Sequence, residues 1–183
     1  MDLRSTPLPY ESITFQNTID LFKYVYWYSG SNPRLELTNL VTQNYLQSGG
    51  KIAFSMTFQD SSATFDFSTQ TIQAFLPIES FDTEDPLSFM FPGASIIPAT
   101  SFSEFPTLET SSTIGFVRTF KVSEITSSKL YDLTSNQLNG EIALLNKTKN
   151  LFFIGLPLHN CDNKNNVAEL LRHLFVNEFG MTL

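Results

Sequence analysis

A strand–helix–strand pattern in the first third of the chain constrains the fold more than any other feature. Residues 23–30 are aromatic and β-branched up to a terminal glycine, which predicts a buried strand. An Asn-Pro pair and an apolar face with helical spacing follow, and the glycine pair at 49–50 ends this helix. Residues 51–58 predict the next strand. Two strands joined through a helix should be parallel with a right-handed crossover, so we expect an α/β fold.

The last third of the chain also has clear periodicity. Residues 113–123 alternate between apolar and polar, which predicts a strand. Residues 140–146 and 150–160 flank a short turn and predict an antiparallel hairpin near the C-terminus. Residues 165–180 have apolar side chains at helical spacing and end in glycine, which predicts a terminal helix.

The middle of the chain has a different composition. Between Ile52 and Val117 there is no lysine or arginine, while eight acidic residues and eleven of the 18 phenylalanines lie there. Residues 69–76 predict a short helix, and residues 79–112 are interrupted by proline and glycine. We therefore expect a single α/β domain over residues 1–183, with a mostly parallel sheet flanked by helices and an irregular insertion over 79–112.

Composition argues against several classes of protein. The chain has 183 residues and a formal charge of −7, which argues against an electrostatic nucleic-acid binder. Its single cysteine, Cys161, excludes an internal disulfide framework. No apolar run approaches the roughly 18 residues of a membrane span, so we expect no membrane span. We also expect no cofactor.

Three stretches of the chain occur in an order that is typical of one family. Residues 23–56 contain a strand, a small-residue loop, a helix, a Gly-Gly pair and a second strand. Residues 129–146 follow, and residues 150–180 contain a closing Gly-x-Pro-Leu strand and the terminal helix. This order resembles divergent class I glutamine amidotransferase-like domains, which have a flavodoxin-like α/β fold. The resemblance implies a module of a larger bacterial protein, often an exported one.

The nucleophile of that family has no counterpart here. Active members place a cysteine in a Gly-x-Cys-x-Gly turn, whereas residues 54–58 of this chain are Phe-Ser-Met-Thr-Phe. The strained turn needs small neighbours, so we do not expect the ammonia-transfer chemistry of the family. His159 follows the last strand, as the family's histidine does, but Cys161 stands where the family has glutamate. We therefore expect a non-catalytic module rather than an enzyme.

A hydrolase is the alternative. Ser55, Thr57 or Cys161 could act as nucleophile, with His159 as the base and Asp162 as the group that orients it. These segments would meet at the carboxyl edge of the sheet, where such folds keep their sites. The simpler interpretation is a serine that ends a strand and a histidine in a loop. Candidate ligand-binding residues are Ser29, Gly30 and Thr57.

The sequence predicts no metal site. The chain has two histidines without metal-ligand spacing, and His173 lies off the apolar stripe of the terminal helix, which predicts a solvent-facing side chain. The acidic cluster at 82–85 lacks the glycine and the distal glutamate of a calcium loop, which favours a solvated turn. Cys161 is an ordinary loop cysteine unless the imidazolium of His159 activates its thiol.

The function and the partners stay open between several interpretations. An interaction or scaffolding module would contact other domains of the same polypeptide or a protein partner. A carbohydrate-binding module would display aromatic side chains, for which the candidates are Phe89, Phe91, Phe102 and Phe105. Export would place the module in the periplasm or outside the cell, and otherwise it would be cytoplasmic. A first strand supplied from upstream would leave an exposed sheet edge until it pairs.

Overall fold

A mixed sheet of nine strands dominates the described part of the chain. The computed structural model describes residues 12–30, 35–57, 75–82, 89–161 and 165–182. The strands are β1 (Tyr24–Ser29), β2 (Lys51–Met56), β3 (Ile78–Phe81), β4 (Ser95–Pro98), β5 (Leu108–Glu109), β6 (Phe120–Val122), β7 (Ser127–Thr134), β8 (Asn139–Asn146) and β9 (Leu151–Ile154). The helices are α1 (Ser12–Ile19), α2 (Leu35–Gln47) and α3 (Asn166–Arg172), and a π-helical segment, His173–Glu178, continues α3. Short 3-10 turns occupy Thr100–Phe102 and Leu158–Asn160.

The strand order is β1-β2-β9-β8-β7-β4-β5, and the sheet curls into a half-barrel. Strands β1, β2 and β9 are parallel to one another, and the other strand pairs are antiparallel. Strand β6 pairs with β8 at Phe120 and Glu141, along the same edge of β8 that pairs with β9. The other edge of β6 pairs with β3.

The strand–helix–strand unit predicted from the sequence is confirmed. Strands β1 and β2 pair in parallel from Tyr24 opposite Lys51 to Ser29 opposite Met56. The chain turns after α2 at Gly49, whose φ of +90° favours glycine. The antiparallel pairing of β8 with β9 confirms the predicted hairpin, although β9 ends at Ile154 rather than at 160.

The predicted fold class is wrong. A parallel neighbour needs a crossover connection of roughly a dozen residues or more, usually a helix. Among the described residues between β3 and β9, the only helical segment is the 3-10 turn Thr100–Phe102. Without a helical crossover, the strands there pair with antiparallel neighbours. The range 79–112, expected to be irregular, supplies β4 and β5 to the sheet and buries Ile96 and Leu108 completely. Residues 127–134, for which no strand was predicted, form β7.

Other predicted elements differ in extent. The strand expected over 113–123 is reduced to Phe120–Val122. The helix expected over 69–76 falls largely outside the described residues. The terminal helix forms as predicted and ends before Gly180, whose φ is +71°.

Apolar side chains are buried on both faces of the sheet. On one face, Ile52, Phe54 and Met56 of β2 pack with residues of α1 and α2. On the other face, Ala53 packs in the cluster that contains Leu170 and Leu174 of the terminal helix. Because side chains alternate along a strand, β2 separates the two cores and places Ser55 on the face of the terminal helix.

Candidate functional site

The carboxyl ends of β1, β2 and β9 meet at one edge of the sheet, as expected for parallel strands. Thr57 donates a hydrogen bond from Oγ1 to the carbonyl oxygen of Gly30 at 2.9 Å, which joins the ends of β1 and β2. His159 is exposed in the turn after β9, and its Cε1 atom would lie 3.8 Å from a Cβ built on Gly30. The edge therefore brings Gly30, Thr57 and His159 together, with Ser29 half-buried beside them.

Ser55 is engaged in structural hydrogen bonds. Its side chain is fully buried, and its hydroxyl donates to the carbonyl oxygen of Leu156 at 2.9 Å. The same oxygen accepts a hydrogen bond from the backbone N–H of Leu158 at 3.0 Å. Ser55 thus ties β2 to the segment that follows β9, and its side chain is buried.

The remaining candidates for a catalytic set are buried or lie outside the described residues. Cys161 is 1% exposed, so its side chain is more deeply buried than an ordinary loop cysteine. Thr57 is also 1% exposed, and its hydroxyl is directed to Gly30. Asp162 lies outside the described residues. Among the catalytic candidates that the structure describes, only His159 is exposed.

An open groove runs between β1 and the terminal helix, with a volume of about 440 Å³. It is lined by Tyr24, Tyr26, Arg172, Phe175, Val176 and Met181. The ring of Tyr24 lies edge-on to Phe175, with ring centroids 6.3 Å apart, and its hydroxyl donates to the carbonyl oxygen of Gly180 at 3.0 Å. These contacts fix the floor of the groove, and the exposed Arg172 contributes a positive charge.

Two tyrosines extend the aromatic surface along β1. The rings of Tyr26 and Tyr28 stack with centroids 5.8 Å apart and an interplanar angle of 20°. Tyr26 is 37% exposed and Tyr28 is 62% exposed. Burial raises the pKa of the Tyr26 phenol, and a hydrogen bond with the side chain of Ser55 offsets part of that rise.

A separate polar cluster involves His173 and Glu178 of the terminal helix and Glu104. His173 Nε2 is 3.8 Å from Glu104 Oε1 and 3.9 Å from Glu178 Oε1. The His173 side chain is 12% exposed, and its ring lies 4.3 Å from that of Phe105, so the predicted solvent-facing position is wrong. One potential ligand atom from each of the three polar residues lies within 4.8 Å of the others.

Sequence reasoning missed most of these residues. The tyrosines at 24, 26 and 28 alternate along β1, but their aromatic and β-branched run predicts a buried strand. The edge position that exposes them leaves no local signal in the sequence. Phe89 and Phe91 are 48% and 51% exposed, as predicted. Phe105 is 2% exposed and Phe102 is half-buried, so the prediction of a surface position is wrong for this pair.

Comparison with known proteins identifies no relative. No family model, no curated protein and no solved structure matches the chain, so the resemblance to glutamine amidotransferase-like domains stays a prediction. None of the helices in the described ranges combines the length and the apolar character that crossing a membrane requires.

Proposed function

We propose that this protein is a non-catalytic binding module that captures an extended segment of a partner protein along strand β1. The observation that carries the proposal is the pair of stacked, exposed tyrosines on β1 beside the groove of the terminal helix. Exposed aromatic side chains next to a preformed apolar groove are typical of protein-recognition surfaces.

The position of β1 supports an extended partner. Strand β1 ends the strand order, and among the described residues it pairs with β2 alone. The outer edge of a terminal strand presents backbone N–H and carbonyl groups, and a partner strand can pair with them. Four of the exposed large apolar side chains lie within residues 21–28, namely Leu21, Phe22, Tyr26 and Tyr28.

The chemistry around the groove defines the partner further. Lys23 lies over the ring of Tyr24, with its Nζ atom 5.5 Å from the centroid, and Arg172 lines the groove. Both cations therefore lie near Tyr24, on a chain whose formal charge is −7. The proposed segment therefore places an apolar or aromatic side chain in the groove and an acidic side chain against Lys23 and Arg172.

The hydrolase alternative has less support. Ser55 and Cys161 are both buried, and the hydroxyl of Ser55 is hydrogen-bonded to backbone groups on two sides. A hydrolase that used His159 with either residue would have to rearrange the turn after β9 before substrate could reach the nucleophile.

The test is selection from a random peptide display library on the purified protein. We expect the enriched peptides to alternate apolar residues and to contain Asp or Glu, as an added strand would require. Tyr28→Ala and Arg172→Glu should each weaken binding of an enriched peptide at least about tenfold, because they remove an aromatic contact and reverse the charge. Tyr28 is chosen because its side chain is 62% exposed, so the alanine variant should fold as wild type does.

The matched control is Ile125→Ala, which removes an exposed apolar side chain between β6 and β7, away from the groove. It should leave peptide binding unchanged. Enriched peptides that bind all three variants as they bind wild type would refute the proposed surface. A glycan-array signal that depends on Tyr28, without any enriched peptide, would favour the carbohydrate-binding alternative instead.

A further inference from the structure

We propose that His173, Glu104 and Glu178 form a binding site for one zinc ion that joins the terminal helix to the segment before β5. The site is independent of the groove and of the proposed partner. Its ligands are one imidazole nitrogen and two carboxylate oxygens, a donor set that zinc accepts in proteins.

The spacing of the three ligand atoms matches an ion better than direct hydrogen bonds. His173 Nε2 lies 3.8 Å from Glu104 Oε1 and 3.9 Å from Glu178 Oε1, which is too long for a hydrogen bond. Zinc bonds of about 2.1 Å in a tetrahedral arrangement separate neighbouring ligand atoms by about 3.4 Å. All three atoms lie within 4.8 Å of one another. To hold an ion between them, each distance between ligand atoms would have to shorten by between a fraction of an ångström and a little more than one ångström.

The helix geometry brings two of the ligands together. His173 and Glu178 are five residues apart, and in an α-helix their side chains would point about 140° apart. The segment His173–Glu178 is a π-helix, in which residues five apart lie close to one face. Such segments are rare and are found frequently at functional sites, which gives this local distortion a physical reason.

The surroundings position the ligands and limit solvent. The Glu178 side chain is 8% exposed, and its Oε2 atom forms an ion pair with Lys149 Nζ at 2.7 Å, which leaves Oε1 directed to His173. Phe105 lies against the imidazole ring, with centroids 4.3 Å apart. Glu104 is 47% exposed, and a water molecule can complete the coordination.

The experiment titrates the full chain, first freed of metal with a chelator, with Zn²⁺ alone in a calorimeter. We expect one equivalent to bind and the melting temperature to rise, because an ion that binds only the folded state stabilises it. Glu104→Gln and His173→Gln should each lower zinc affinity at least about tenfold. Glu104→Gln is the safer variant, since half of its side chain is exposed, and its melting temperature without zinc should equal that of wild type.

The controls use residues of the same types away from the site. His159→Gln removes the other histidine of the chain, and Glu124→Gln removes an exposed glutamate between β6 and β7. Both should bind zinc as wild type does. The proposal is overturned if wild type takes up no zinc, if Glu104→Gln and His173→Gln retain its affinity, or if His159→Gln loses it.

Discussion

At the scale of single residues, buried hydroxyl groups connect distant segments of the backbone. Ser55 joins β2 to the segment after β9, and Thr57 joins the ends of β1 and β2. Each of these oxygen atoms has a specific backbone partner. A buried donor or acceptor left without its partner costs more than the bond contributed, so these side chains stabilise the fold strongly.

Substitution of Ser55 tests this structural role. Ser55→Ala leaves the N–H of Leu158 without its acceptor in a buried place, and we expect a loss of about 1–3 kcal/mol in the free energy of unfolding. Ser101→Ala, at an exposed position, should change that free energy by no more than about 0.5 kcal/mol. Urea unfolding of the two variants measures both. Equal stability of both variants would contradict the structural role of Ser55.

At the scale of secondary-structure elements, one side chain strengthens the connection of β6 and β3 to the rest of the sheet. Strand β6 pairs with β8 at a single position, Phe120 opposite Glu141. The carboxylate of Glu141 adds a second link, because its Oε2 accepts a hydrogen bond from the backbone N–H of Val122 at 2.6 Å. A side chain therefore supplies a bond that a longer strand would make with its backbone.

Removal of the Glu141 carboxylate should loosen this connection. We expect Glu141→Ala to lower the free energy of unfolding by about 2 kcal/mol and to speed hydrogen exchange of the Val122 amide. Glu141→Gln keeps an oxygen acceptor and should lose about half as much. Exchange measured by nuclear magnetic resonance distinguishes them. Unchanged protection of Val122 in Glu141→Ala would show that the bond does not hold β6 in place.

At the scale of the whole molecule, the interior contains phenols that must stay neutral. Tyr131 is fully buried and donates to the carbonyl oxygen of Pro106 at 2.8 Å. Tyr45 is 1% exposed and donates to the carbonyl oxygen of Phe22 at 2.8 Å. Burial raises the pKa of both phenols above the ordinary value of about 10, and the charge of Glu169 raises that of Tyr131 further.

The raised tyrosine pKa values predict a loss of stability in alkali. The folded state holds these protons more tightly than the unfolded state, so their contribution is complete below about pH 10 and falls as the pH rises above it. We expect the free energy of unfolding to decrease steadily above pH 10, and Tyr131→Phe to reduce that slope. Circular dichroism and tyrosinate absorbance, followed against pH, measure both. Ionisation of all six tyrosines with the fold intact would contradict the prediction.

Local patterns in the sequence were sufficient for several elements and for part of the candidate site. The unit β1–α2–β2, the hairpin of β8 and β9 and the terminal helix follow from apolar periodicity and from glycine turns, which act between near neighbours in the chain. The meeting of Gly30, Thr57 and His159 follows from the rule that parallel strands end at one edge.

Only the tertiary structure decided the rest. The pairing of β7 with β4, the hydrogen bonds of Ser55 and the approach of Glu104 to His173 join residues that are far apart in sequence. The edge position of β1 depends on which strands are its neighbours. Periodicity identifies the apolar face of an element but does not specify the element that will cover it. Local signals therefore predicted the pieces, whereas long-range packing determined the antiparallel architecture and the surfaces available for function.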